Sequence, residues 1–256
     1  MLLAAAWLLA GCSGDPAAKP GFHEINQHRF FVNSLGMQFV QLPGNDIWLS
    51  VRETRVADYA AFANATTNGW QAAWFQDTDR HPAINVQWDD AQAFCAWLSQ
   101  RERASGLLAG NDGYRLPTKS EWTTALGQAE PTDSGNFGPK LGTDGFVRTS
   151  PVDSFPGNAL GLHDLRGNVW EWCTAWPSEE GIGRILRGGS WRDDIPGLLA
   201  ADRELIVTPK VATEDYGFRC VLVLKRPAKP HGDNLSTIRE SPLGGFALSP
   251  TLAVGR

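Results

Sequence analysis

The chain has little of what common catalytic and nucleic-acid sites are made from. Four cysteines occur in 256 residues. None stand as Cys-x-x-Cys or close to a histidine, so no zinc spacing is present. No cysteine lies between Cys173 and Cys220. The five histidines never gather in threes along the sequence as an iron triad would suggest. His23 and His28 read as solvated, His81 precedes Pro82 in a turn, and His163 sits in a polar loop. The 23 Lys and Arg are scattered and the net charge is −5, so the basic face needed for nucleic acid is lacking and a phosphate-rich partner is not expected. Long apolar runs are absent too. The best one, MLLAAAWLLAGC, stops after about eleven residues, too short to span a bilayer as a helix. Tyrosine is sparse, three against eleven tryptophans, which implies a core of large rings, ring-pinned loops or a binding surface.

The N-terminal run reads as the apolar part of a secretory signal. Leu9-Ala10-Gly11-Cys12 looks like a bacterial lipobox, with Cys12 the lipidated residue; a cleaved, non-lipidated signal is the alternative. The expectation is a lipoprotein signal over 1–12 and a tether over 13–32. The chain would then be lipid-anchored in the bacterial cell envelope, and Ser13 favours the periplasmic face of the outer membrane. In that oxidising setting Cys95, Cys173 and Cys220 predict one disulfide and one odd thiol.

A hydrophobic share of 42% and a charged share of 20% fit a soluble globular protein, with room for one large domain or two small ones. The folded part is expected over 33–224. MQFVQL (37–42) and IWLSV (47–51) predict two strands joined by a turn. Apolar spacing predicts a helix over 54–66 with Thr54 as its N-cap, and another over 88–104 ended by Gly106. YRLPTKSEW predicts a strand leading to a third helix, with Thr118 as N-cap and Glu121 closing a capping box. From 128 to 190 Gly, Pro, Asn, Asp, Ser and Thr dominate, a stretch long enough to need some other support, and bound metal is the leading candidate. Closing strands are expected in 185–191 and 215–224, and a loosely ordered tail over 225–256.

Taken in order, NSLGMQFV, RETRVADYAAFA, HPAINVQWDDAQAFCAWL, YRLPTKSEW, FPGNALGLHDLRGNVWEW, RGGSW and YGFRC resemble the formylglycine-generating enzyme, or sulfatase-modifying factor, family. The resemblance covers roughly 33–224 and implies an α+β fold, loop-rich, low in regular structure and related to the C-type lectin fold. Catalytic members oxidise a sulfatase cysteine to formylglycine through two copper-binding cysteines. The first follows the serine of RGGS by three positions and the second comes five later, which here are Asp193 and Leu198. A copper site needs two soft thiolates, so copper and the oxidase chemistry are not expected.

The resemblance also implies two calcium sites built from oxygens. One would use Asn136, the carbonyl of Phe137, Asp144 and the carbonyl of Phe146; a Gly-Asn-Asp turn without metal is the alternative. The other would use Asp164, the carbonyls of Gly167 and Val169, and Glu171; a Glu171 that caps nearby backbone is the alternative. If 167–171 were extended, Gly167, Val169 and Glu171 would face one side, and Asn168, Trp170 and Trp172 the other. A Cys95–Cys220 disulfide is implied, against two buried thiols, while Cys173 matches no functional position. Ser190 and Trp191, with Trp170, would line the family's substrate groove, and Arg187, Arg203 and Arg219 would pair with loop carbonyls or carboxylates. The functional expectation is a non-catalytic, calcium-stabilised module that binds a protein, peptide or glycan of the envelope. The alternative is an oxidase of the formylglycine-generating or sulfoxide-synthase type with a metal site not evident in the sequence.

Overall fold

Alternating apolar residues and Gly- or Pro-bearing turns give the first half of the chain its strands, and the rings on those strands give it a core. The computed structural model describes residues 18–25, 28–44, 46–127, 135–141, 144–174, 183–195 and 203–225. Strands β1 (Gly21–Ile25), β2 (His28–Val32), β3 (Gln38–Gln41) and β4 (Ile47–Ser50) run as an antiparallel meander. The late strand β10 (Val221–Val223) inserts between β4 and β5 (Gly113–Arg115), completing a six-stranded sheet. A second sheet has the order β8 (Leu205–Val207), β7 (Arg184–Arg187), β6 (Trp170–Trp172) and β9 (Tyr216–Gly217).

The sheet begins earlier than the sequence reading placed it. The segment assigned to a tether contains β1 and β2, whose register pairs Phe22 with Phe31. Phe22 packs edge-on against Phe31 at 5.1 Å and Trp48 at 5.4 Å. Ring packing across the hairpin supplies what the polar flanks His23 and His28 hid. Residues 1–17 and 226–256, with Cys12 and nearly all of the assigned tail, lie outside the described residues.

Helix α1 spans Val56–Thr66, and its N-cap is Arg55, not Thr54. The Thr54 N–H is taken by the carbonyl of Phe218 at 2.8 Å, and Asp58 accepts from the Arg55 N–H at 3.0 Å. Helix α2 covers Trp88–Ala104, burying Ala91, Phe94, Cys95 and Leu98 on one face. Tyr59, Phe62, Phe94 and Phe218 form the ring core between α1, α2 and the strands. Residues 185–191 do not continue as a strand beyond Arg187, because Gly188 and Gly189 take φ of +104° and +78°. Residues 215–224 divide between the two sheets. Phe218 to Cys220 cross from one to the other, and the carbonyl of Cys220 accepts from Ser50 N–H at 2.8 Å.

Helix α3 (Lys119–Leu126) starts at the expected box: Thr118 accepts from the Glu121 N–H at 3.1 Å, and Glu121 accepts from the Thr118 N–H at 2.8 Å. Arg115 forks onto both Glu121 oxygens at 2.6 Å. Burial alone would raise the Glu121 carboxyl, but Arg115 and the Thr118 hydrogen bonds outweigh it and hold it below its ordinary value. A depressed carboxyl stabilises the fold above its unfolded pKa of about 4.3 and ceases to do so as pH falls through its folded value. Glu121→Ala should therefore cost about 1 kcal/mol near pH 7. Urea unfolding of both proteins should show that difference shrinking as pH falls below about 4.

Candidate functional site

The loops between α3 and β7 converge on one buried side chain, Asn168. It has φ of +57°, and the preceding Gly167 has φ of +78°. The extended 167–171 segment is therefore corrected: the chain turns at 167–168, and only 170–172 is strand. Residues 167 to 173 are all buried, so the two-sided arrangement expected there does not arise. Gly167 is required where it stands, because a Cβ there would lie 2.3 Å from the carbonyl oxygen of Asn136.

Asn168 donates through Nδ2 to Glu53 Oε2 at 2.9 Å and accepts at Oδ1 from Ser150 N–H at 3.0 Å. Its own N–H reaches the carbonyl of Asn136 at 2.8 Å, and its carbonyl accepts from Trp191 N–H at 3.0 Å. One residue, through its side chain and its backbone, thus pins four chain segments.

Beneath it lies a buried ionic cluster. Arg219 donates to Glu171 through Nε at 2.7 Å and Nη2 at 2.6 Å, and both side chains are fully buried. Trp122 Nε1 adds a bond to Glu171 Oε2 at 2.9 Å, and Arg219 Nη2 also reaches the carbonyl of His163 at 2.8 Å. Glu53 and Asp164 stand close enough to feel this pair. Burial pushes the Glu53 carboxyl well above its ordinary range, and Asp164 and Glu171 push the same way. Burial also pushes Asp164 up to about 6, against the pull of the Asp153 N–H and Arg219. Burial would discharge Arg219, but Glu171 and the neighbouring carboxyls hold its pKa above the ordinary value.

The first candidate calcium set is drawn together. Asp144 accepts from Phe137 N–H at 2.9 Å and Phe146 N–H at 2.8 Å, curling its loop around the carboxylate. Asn136 donates through Nδ2 to the carbonyl of Arg148 at 2.7 Å, while its buried Oδ1 has no hydrogen-bond donor among the described residues. An unmatched amide oxygen beside a carboxylate-centred loop fits a hard cation.

The second set fits less well. Glu171 Oε2 already accepts from both Arg219 and Trp122, and Oε1 accepts from Arg219, so the carboxylate retains one lone pair. Asp164 accepts from Asp153 N–H at 2.8 Å. Glu53, which the motifs did not single out, holds a buried Oε1 with no donor among the described residues.

At the position of the first family cysteine, Asp193 closes a tight turn. Its Oδ2 accepts from Ser190 N–H at 2.6 Å and Ser190 Oγ at 3.0 Å. Burial raises the Asp193 carboxyl, Asp215 adds to this, and bonds from Ser190 and Trp170 oppose it. The turn packs on Gly138, where a Cβ would meet Asp194 Oδ1 at 2.2 Å. Ser190 Oγ also lies 3.4 Å from Asp215 Oδ2, so the hydroxyl faces carboxylates, with no imidazole bonded to it among the described residues. Trp170 and Ser190 are buried and only Trp191 is partly exposed, so the three do not line an open groove as expected. Leu198, the second cysteine position, lies outside the described residues. The Cys95 and Cys220 sulfurs are buried 3.7 Å apart as free thiols, and Cys173 is buried separately.

The model of the sulfatase-modifying factor enzyme 1-like domain matches residues 25–224. The chain belongs to this family. A relative from Bos taurus, an inactive C-alpha-formylglycine-generating enzyme 2, is 36% identical over 57% of this chain and 52% of its own. A formylglycine-generating enzyme of Thermomonospora curvata is 28% identical over 56% of each. The chain spans about half the length of the curated relatives it matches. PvdO from Pseudomonas aeruginosa shares the fold with a TM-score of 0.57 at 21% identity, over 81% of this chain and all of that one. The fold is the loop-rich α+β domain of the family.

Asn168, Glu53 and Arg219 are the residues on which the site is built, and the motif reading underweighted the first two. A signal was available: Glu53 is the lone acid between the apolar Val51 and Val56, a placement that favours a buried, partnered carboxyl. Removing one partner of a buried ion pair costs about 3–5 kcal/mol. Arg219→Met should lose that much in denaturant unfolding, and Glu171→Gln added to it should recover part of the loss.

Proposed function

We propose that the chain is a non-catalytic member of its family, a calcium-stabilised binding or regulatory module anchored by lipid in a bacterial envelope. The observation that carries this reading is Asp193, a carboxylate locked into a turn where catalysis needs a thiolate. A carboxylate is a hard ligand and neither holds copper as a thiolate does nor carries electrons to a substrate. The inactive name of the bovine relative supports the same reading. The partner would be a protein, peptide or glycan met outside the cytoplasm, where Cys95 and Cys220 would close as a disulfide.

The role proposed for calcium is to hold loops that lack a ladder of their own. Asn136, Asp144 and the carbonyls of Phe137 and Phe146 would make one site. Asp164 and the carbonyls of Gly167 and Val169, with the remaining lone pair of Glu171, would make the other. Asp164 and Glu171 together outnumber the one guanidinium of Arg219, which gives the second location a demand for positive charge.

Two measurements test the reading. Calcium at 100 times its Kd should raise Tm over chelated protein by about 5–10 °C for each occupied site, and Asp144→Asn should remove the part due to the first. Identical melts in calcium and chelator would refute both calcium sites. Incubation of the protein with a sulfatase-type cysteine peptide, copper and oxygen should leave the peptide mass unchanged; conversion of its cysteine to formylglycine would overturn the non-catalytic reading.

A further inference from the structure

Away from the buried cluster, the segment before His81 and the loop after Asp144 face each other across a recess of about 470 Å³. That volume is within the range of small-molecule sites. Trp74 is 83% exposed, Val147 is 90% exposed and Phe146 is 38% exposed. Large apolar groups are seldom left open together on a soluble surface without use. Arg148 lies over both neighbouring rings, its Cζ 4.9 Å from the Trp74 centroid and 4.5 Å from the Phe75 centroid. Arg148 itself is partly exposed, and its backbone carbonyl is fixed by Asn136. The floor is rigid: His81 bonds Thr149 Oγ1 at 2.9 Å and Asp77 at 3.1 Å.

We infer that this recess binds a planar apolar ligand bearing one carboxylate. The rings of Trp74, Phe75 and Phe146 offer flat apolar faces, and Arg148 in the lining offers the one positive charge with which a carboxylate pairs. Asp77, exposed at the rim, repels a second negative charge and selects a monoanion over a dianion or phosphate. The inference goes beyond the non-catalytic reading, since the recess contains neither Ser190 nor Asp193, although it shares Phe146 with the first proposed calcium site. The same chemistry could arrive as a free aromatic acid or as a peptide ending in an aromatic residue.

Isothermal titration of the full chain, with calcium and separately with chelator, against phenylacetate, phenylacetamide, a peptide with C-terminal phenylalanine, and glucose tests this. Phenylacetate or the peptide should bind, the neutral amide at least tenfold more weakly, and glucose not at all. The tighter of the two acids identifies the source. Arg148→Gln and, separately, Trp74→Ala should each weaken binding at least tenfold; Trp74 is so exposed that its variant should melt as the parent does. Equal binding of acid and amide, binding of glucose alone, no binding by any probe, or unchanged affinity in both variants would overturn the inference.

Discussion

The fully buried pair of Glu171 and Arg219 is the constraint on which the centre of the molecule is arranged. A charge taken out of water is tolerated only with close, hydrogen-bonded partners. Arg219 satisfies this by forking onto Glu171 and reaching the carbonyl of His163, while Trp122 completes Glu171 from the side of α3. These contacts tie β6, the segment between β9 and β10, and α3 into one unit. Glu53 and Asp164 crowd the same place, so the carboxyls outnumber the guanidinium. Asn168 then links Glu53 to loops that have almost no strand or helix of their own.

The same economy of regular structure explains the outcome at the family's catalytic position. A loop held by single side chains and tight turns can change one residue without losing its course. Asp193 accepts from the N–H and hydroxyl of Ser190, and Gly138 leaves room for the turn to pack. The turn thereby keeps its course with a carboxylate at this position. Trp170 and Ser190 support this turn from inside the core rather than from the wall of an open groove.

Regular elements with strong local signals were legible in the sequence. Helix α2 follows from its apolar face and α3 from Thr118 and Glu121, which act within a few residues. The family was legible because its motifs are ordered and dense in tryptophan and glycine. What could not be read was set by distant partners. Thr54 lost the cap of α1 because its hydroxyl lies against the Cys220 sulfur at 3.8 Å, more than a hundred residues away. The β1–β2 hairpin was missed because its packing partner Trp48 lies on another strand. The pairing of Glu171 with Arg219 was not legible because the two stand 48 residues apart.

The most direct measurement of the central claim, that the scaffold persists without the thiolate site, is titration of copper(I) against a competing chelator. The account predicts that copper(I) stays with the chelator, and that installing cysteine by Asp193→Cys together with Leu198→Cys draws it onto the protein. Stoichiometric, tight copper(I) binding by the unaltered chain would contradict it.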